Sequence, residues 1–172
     1  MVAPGAAEVS AEDSADDVVR AAERATGNGV LGIGVDLVAI ASFAEQFAVP
    51  GTRFSEAFTA AERTLGAPDT PESHRLAGRW AAKEAFIKAW SSARRGRAPA
   101  TGEVAMREIE VLCDAWGRPG LRLHGEVARA FATSLPDADA HLSIAHDGDR
   151  AIAFVVLHAR ASSPTPLSEE HS

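Results

Sequence analysis

Residues 72–90 read ESHRLAGRWAAKEAFIKAW. The stretch has no internal proline, one glycine (Gly78) and many Ala, Leu, Lys, Glu and Arg residues, which predicts a single long helix. At about 100° per residue, Leu76, Trp80, Ile87 and Trp90 fall in one apolar stripe, with Lys83 inside it. Glu84 and Lys88 are one turn apart on another face, beside Ala77 and Ala81. Lys83 and Lys88 are the only lysines in the chain, and arginine carries the remaining permanent positive charge. A lysine ammonium is a compact point charge that can release a proton, and a guanidinium is not. Lysine at just these two positions points to a task that arginine does not fill.

Spacing alone leaves two readings of Glu84–Lys88 open. One is a solvated helix pair adding about 0.2–0.5 kcal/mol. The other is a polar site whose small alanine neighbours let a large ligand approach. Lys83 either snorkels past Trp80 to put its charge at an edge or meets a buried anion.

Upstream, Val30–Ile40 (VLGIGVDLVAI) predicts a buried strand in which Gly32 and Gly34 allow close backbone approach. Alternation puts Asp36 on the glycine face, opposite Ile33, Val35 and Leu37. An acid in such a run is costly unless it is paired or bound to a metal, or it serves as a cap for a helix over Ala39–Phe47. Phe43 and Phe47, one turn apart, face inward. Pro50-Gly51 breaks the chain, and Thr59-Ala60-Ala61-Glu62 is a capping-box pattern that starts a short helix. A loop over residues 66–71 precedes the central helix.

Downstream, Ser91–Thr101 (SSARRGRAPAT) reads as a flexible basic loop, either solvated surface or a dock for an acidic partner or a phosphate. Strands over Arg107–Asp114 and Leu121–His124 flank the turn AWGRPG. A helix over Gly125–Leu135 follows, then strands over His141–His146 and Arg150–His158 around Asp147-Gly148-Asp149. His146 closes a face shared with Leu142 and Ile144, as an edge residue or a ligand contact. The order predicts an α+β fold, a mostly antiparallel sheet with helices packed on one face.

The 172 residues fit one domain, and 46% hydrophobic residues suffice for a core. The expected layout is a disordered extension over residues 1–29, the domain over 30–159 and a disordered tail over 160–172. The net charge of −7 sits mostly in the ends: residues 1–29 hold six acids and two arginines. The near-neutral remainder carries no electrostatic footprint for nucleic acid. No apolar run approaches the roughly 20 residues of a membrane span. With no secretory leader pattern and a single cysteine, Cys113, read as a small core residue, the simplest location is cytoplasmic.

Three segments, GIGVDLVAI at 32–40, AGRWAAKEAFIKAW at 77–90 and HLSIAHDGDRAIAFVVL at 141–157, together resemble the holo-(acyl-carrier-protein) synthases. These are the short, trimeric type of 4′-phosphopantetheinyl transferase. The hairpin EIEVLCDAWGRPGLRL at 108–123 is similar to the family's Gly-Arg/Lys-Pro turn. The resemblance covers residues 30–158 in order. It implies transfer of 4′-phosphopantetheine from coenzyme A to a serine of an apo-acyl carrier protein, or of a carrier domain, in fatty acid biosynthesis. Adenosine 3′,5′-bisphosphate is the second product.

The resemblance further implies that Asp36 and Glu84 hold Mg²⁺ and that Glu84 and Lys88 are catalytic. Coenzyme A would be bound by Arg79, Lys83, Lys88 and His146, with Arg79 and Lys83 either contacting its phosphates or bracing the site. A homotrimer with the coenzyme A site between subunits is implied as well. Many relatives carry a carrier-docking arginine six residues after the metal aspartate, where this chain has Ser42. Docking is therefore expected at Arg53, Arg75, Arg94, Arg95 and Arg97. The competing readings are a Mg²⁺-dependent nucleotide or coenzyme A hydrolase and a non-catalytic coenzyme A-binding module. No glycine-rich phosphate loop of the P-loop type supports the hydrolase, and a non-catalytic module would not need Asp36, Glu84 and Lys88 together.

Overall fold

The structure, a computed structural model, describes residues 29–64 and 70–160. The expectations for residues 1–28 and 161–172, most of the loop at 66–71, and the side chain of Arg53 lie outside the described residues. Strand β1 (Val30–Ala39) leads into helix α1 (Ile40–Phe47), a 3-10 turn (Arg53–Ala57) and the short helix α2 (Ala60–Thr64). The long helix α3 (Glu72–Ala93) follows, then a 3-10 turn (Met106–Glu108) and the hairpin β2 (Ile109–Cys113) and β3 (Pro119–Leu123). Helix α4 (Gly125–Ser134) and the hairpin β4 (Ala138–Asp147) and β5 (Arg150–Ala159) complete the fold.

The α+β expectation holds. The strands form an antiparallel sheet in the order β1-β5-β4 and a separate two-stranded ribbon, β2-β3. Helix α3 lies on one face of the three-stranded sheet. Its buried positions run almost all round it, from Leu76 and Ala77 through Phe86 to Trp90, so it is the centre of the molecule. The apolar stripe is therefore only part of what it buries. Ala77 and Ala81 are fully covered by protein and leave no room for a ligand.

The sheet reaches the helix through β1. A Cβ on Gly32 would overlap the Ala89 carbonyl, and one on Gly34 the Ala85 carbonyl. Hydrogen in place of a side chain lets strand and helix backbones touch. Asp36, two residues on, lies on the same inward face. Its capping role is excluded: the N-cap of α1 is Ala39, with no side-chain hydrogen bond. The outer row of β1 departs from the buried strand expected, since Ile33, Val35 and Leu37 are 50%, 43% and 57% exposed. Among the described residues, only one face of this sheet is covered.

Aromatic packing fixes α1, with Phe43 buried and stacked on Phe47 at 5.8 Å between ring centroids. The β2-β3 turn is held by Asp114, whose Oδ1 accepts from the Trp116 and Arg118 amides, both at 2.9 Å. Cys113 is exposed, which corrects its reading as a core residue. It has the parity of Ile109 and Val111 but is the last strand residue, beside that turn and past the packed part of the ribbon.

Lys83 meets a buried anion. Its ammonium, fully enclosed, donates to the carbonyls of Ala57 (2.8 Å), Met106 (3.0 Å) and Ile109 (2.7 Å) and lies 2.9 Å from Glu62 Oε1. Glu62 is the far end of the capping box: its Oε2 accepts from the Thr59 amide at 2.8 Å, and its own amide donates to Thr59 Oγ1 at 3.2 Å. Glu62 Oε1 also accepts from the Val111 amide at 3.0 Å. Thr59 Oγ1 donates to Glu110 Oε1 at 2.7 Å, and Glu110 Oε2 is 2.9 Å from His124 Nε2. One polar chain thus ties α2, α3, both 3-10 turns and the β2-β3 ribbon together. Breaking a buried pair leaves a charge without compensation. Lys83→Met is expected to lower unfolding free energy by about 3–5 kcal/mol, read from denaturant titration. A loss below about 1 kcal/mol would contradict this role.

Candidate active site

Glu84 and Lys88 project from one face of α3, and β1 delivers Asp36 to the same place through the glycine contacts. Lys88 Nζ donates to Asp36 Oδ1 at 2.7 Å and to the Val35 carbonyl at 3.2 Å. Asp36 is mostly covered, at 15% side-chain exposure, whereas Lys88 is 52% exposed. Lys88 is thus anchored at its tip but open to solvent along its side. Burial pushes the Glu84 carboxyl above its ordinary range, the charge of Asp36 adds to the rise, and Lys88 opposes it. Two carboxylates and one ammonium form a single electrostatic unit, although Asp36 and Lys88 are 52 residues apart in sequence.

The other expected site residues fall elsewhere. Arg79 and Lys83 lie roughly 140° and 100° around α3 from Glu84, at about 100° per residue. The Lys83 ammonium is sealed in the network described above, so its expected contact with coenzyme A phosphates is corrected. Arg79 is 7% exposed, and its Nη1 donates to the Arg75 carbonyl at 3.2 Å. Burial lowers its pKa and the nearby Glu62 charge opposes that, so Arg79 belongs to the braced interior, near Arg75. Of the two roles considered for Arg79 and Lys83, bracing is the one their geometry fits.

His146 stands at the end of β4 over the first half of α3, its Nε2 2.9 Å from the His74 carbonyl. A Cβ on Gly78 would come within 2.9 Å of that ring, so the glycine makes room for it. Asp36 is aligned with Ala153, and Ala153 with Ile144, two residues from His146. His146 therefore shares the helix-facing side of the sheet with Asp36, about 12 Å away across β5 and two residues along β4 at ordinary strand spacing. Arg94, Arg95 and Arg97 cluster past the C-terminal end of α3. Arg95 and Arg97 are exposed, and Arg94 is half-buried with Nη2 donating to the Ala98 carbonyl at 2.8 Å. Sequence reasoning marked Glu62 as a cap but missed it as the partner of Lys83, and missed the Val35 carbonyl as an acceptor for Lys88.

Comparison with known proteins places this geometry in a family. The profile of the 4′-phosphopantetheinyl transferase superfamily matches residues 32–155. The chain belongs to that superfamily. Asp36, Glu84, Lys88 and His146 all fall inside the matched stretch. A holo-(acyl-carrier-protein) synthase of Mycobacterium tuberculosis is 47% identical over 132 residues, 76% of this chain and 98% of that one. The solved structure of a Chronobacterium ammoniagenes ACPS-CoA complex shares 49% identity with a TM-score of 0.70, covering 75% of this chain and 97% of that chain. A Neisseria meningitidis holo-(acyl-carrier-protein) synthase structure shares 29% identity with a TM-score of 0.59 over 75% and 98% of the two chains. The phosphopantetheinyl transferase fold of this chain thus carries the acid–acid–lysine cluster on its central helix and first strand.

The direction of the Glu84 shift has a consequence for stability. A carboxyl whose folded pKa is raised binds protons more readily folded than unfolded, so its ionisation costs stability as pH rises past the ordinary carboxylate range. Glu84→Gln, in chelator, is expected to raise the melting temperature near pH 7 and to change it little below about pH 4. A variant less stable than the parent near neutral pH would contradict the strained-carboxylate reading.

Proposed function

We propose that this protein is a holo-(acyl-carrier-protein) synthase, moving 4′-phosphopantetheine from coenzyme A to a serine of an apo-acyl carrier protein or carrier domain. The observation that carries the reading is the convergence of Asp36, Glu84 and Lys88 in a chain 47% identical to holo-(acyl-carrier-protein) synthases. The substrate is suggested further by the ACPS-CoA complex of the Chronobacterium ammoniagenes relative. A role in fatty acid biosynthesis and a cytoplasmic location belong to the same reading.

Asp36 and Glu84 fit a Mg²⁺ site. Their charges already push against each other, and a cation relieves that cost. Among the described residues no cluster of three or more His, Cys, Asp or Glu side chains is present. Two carboxylates completed by phosphate oxygens and water suit Mg²⁺ better than an all-protein cage. When bound, the ion supplies positive charge against the pyrophosphate.

The remaining chemistry rests on the side chains. The serine hydroxyl attacks the β-phosphorus in line. The new O–P bond forms as the bond to the oxygen shared with the α-phosphate breaks, and adenosine 3′,5′-bisphosphate leaves. Glu84, its carboxyl raised by burial, accepts the serine proton. Lys88 is close enough to the carboxylates to exchange Asp36 for the pyrophosphate and to protonate the departing α-phosphate, which an arginine does not do. His146, about 12 Å away over the sheet, is placed to meet the adenosine end of the same long substrate.

Intact mass of an apo-carrier incubated with the protein, coenzyme A and Mg²⁺ tests the reading: a gain of one phosphopantetheine is expected. Hydrolysed coenzyme A with an unmodified carrier would point to the hydrolase, and binding without either product to a non-catalytic module. Lys88→Ala is expected to lower kcat by about 10²–10⁴-fold, with a much smaller change in coenzyme A binding. Asp36→Ala is expected to raise the Mg²⁺ requirement, and an unchanged metal titration would remove Asp36 from the site.

We also propose that the chain works as a homotrimer with a coenzyme A site between subunits. The support is the open face of the sheet, where Ile33, Val35, Leu37, Ile152 and Phe154 are each at least 40% exposed. A contiguous apolar face of this kind marks an interface. Ile33→Glu with Phe154→Glu is expected to yield monomers by light scattering and to abolish transfer; an unaltered mass in solution would sink the assignment.

Carrier docking is assigned to Arg95 and Arg97, exposed beyond the lysine end of α3, with Arg94 holding their loop and Arg53 and Arg75 as further candidates. Ser42 is exposed on α1 and offers no charge there. Charge reversal at Arg95 and Arg97 is expected to weaken carrier binding about tenfold or more at low salt and much less at high salt. Equal affinity at all salt concentrations would reject the assignment.

A further inference from the structure

Two oppositely charged parts of this chain meet where α3 ends. The family profile starts at residue 32, so residues 1–28 lie outside the shared core. They hold six acids (Glu8, Glu12, Asp13, Asp16, Asp17 and Glu23) against two arginines, a net charge of −4. The loop at 94–104 holds three arginines against one acid, Glu103, a net charge of +2.

The start of that loop is a turn that presents its charge outward. The Arg95 amide donates to the Ser92 carbonyl at 3.2 Å and the Arg97 amide to the Arg94 carbonyl at 2.9 Å. Gly96, between them, has a φ of 78°, a left-handed backbone that glycine adopts without strain. Arg95 and Arg97 are exposed on either side of it, and neither side chain has a hydrogen bond or ion pair among the described residues. The acid across the neighbouring hollow, Glu126, is engaged by Arg129 at 2.6 Å. Two guanidinium groups therefore stand without an anion among the described residues.

The path of β1 brings the acidic segment to this turn. The Gly34 position meets Ala85 and Ala89, and the Gly32 position meets Ala89 and Ala93. Followed back toward the chain start, the strand thus runs toward the C-terminal end of α3. Val30 lies about 7 Å beyond Gly32, so residues 1–28 join the described chain beside Arg94. Glu23 is within about 20 Å of chain from Gly29, and Glu8 within about 75 Å. All six acids can reach the turn. A short tether holds a ligand at an effective concentration on the order of millimolar, which is enough to fill a weak electrostatic site.

We propose that the acidic segment 1–28 docks on the Arg95–Arg97 turn of its own chain and competes there with an acidic carrier. Its competition with a carrier rests on the transferase reading above; its docking does not.

Paramagnetic broadening on the full chain tests the docking without a carrier. In Cys113→Ser protein, a nitroxide at Ser14→Cys is expected to broaden the Arg95 and Arg97 amides at low salt. The effect is expected to vanish at about 1 M salt, where the screening length is about 3 Å. No broadening, or broadening only when the nitroxide and the observed amides are on different chains, would overturn the proposal.

Titration with an apo-acyl carrier protein reads the competition. With its six acids changed to Gln or Asn, the full chain is expected to bind the carrier about threefold or more tightly than the parent at low salt, and equally at high salt. In an Arg95→Glu, Arg97→Glu background the same changes are expected to add nothing. An equal gain in that background would show general charge repulsion and overturn the docking. So would no gain in the parent, or an equal gain from Glu169→Gln with Glu170→Gln in the tail. If the amides broaden but no carrier is modified, the transferase reading fails and the docking stands. If the carrier is modified and the amides stay sharp, only the docking fails.

Discussion

The structure depends on a close backbone contact between a strand and a helix. Along β1 the inward positions are Gly32, Gly34 and Asp36, and the first two have no side chain to separate β1 from α3. The strand therefore lies against the Ala85 and Ala89 turns of the helix. Asp36 is the first inward residue with a functional group, and it arrives where Glu84 and Lys88 already project. A larger residue at Gly34 would push the strand outward and separate Asp36 from Glu84 and Lys88. The glycines thus govern the chemistry through distance, and no glycine atom needs to touch a substrate.

Behind this contact the helix is held by its opposite side. The Lys83 ammonium gathers three carbonyls and Glu62 in a space closed to solvent. Such a pair adds little net stability over an apolar replacement, but every acceptor it gathers is fixed in direction. Two of those carbonyls come from 3-10 turns, segments with little regular hydrogen bonding of their own, and one from β2. Helix α3 is thereby clamped between a glycine-smoothed strand on one side and a polar knot on the other. The face that carries Glu84 and Lys88 is held through both of these contacts.

Much of this was legible in residues. The α+β order, both hairpins, the capping box and the shared face of Gly32, Gly34 and Asp36 follow from periodicity and turn chemistry, which act locally. The convergence of Asp36 with Lys88 needed the resemblance, because nothing local fixes a contact across 52 positions. What failed did so for tertiary reasons. The alanines beside Glu84 looked like space for a ligand, but the protein fills it. Lys83 was expected either to contact phosphates or to brace the site, and the helical period already turns it roughly 100° from Glu84. Its true partner was visible only as a helix cap. The exposed outer row of β1 could not be foreseen from an apolar strand, since the same pattern serves a strand covered on both faces and one covered on a single face.

The lysine distribution carries a sharper lesson. Lysine at 83 and 88 suggested a task arginine could not perform, and the two positions ask different things of the residue. At 83 the requirement is geometric: convergent carbonyls and a carboxylate within 3.0 Å suit a compact ammonium, and a planar guanidinium would need a wider, flatter space. At 88 the ammonium is half-exposed and bound to one carboxylate, and the proposed role asks for a group able to exchange that partner and pass on a proton. Residue identity alone could not separate the two. Their angular separation on one helix does, because it puts one ammonium in the protein interior and the other at its half-exposed surface.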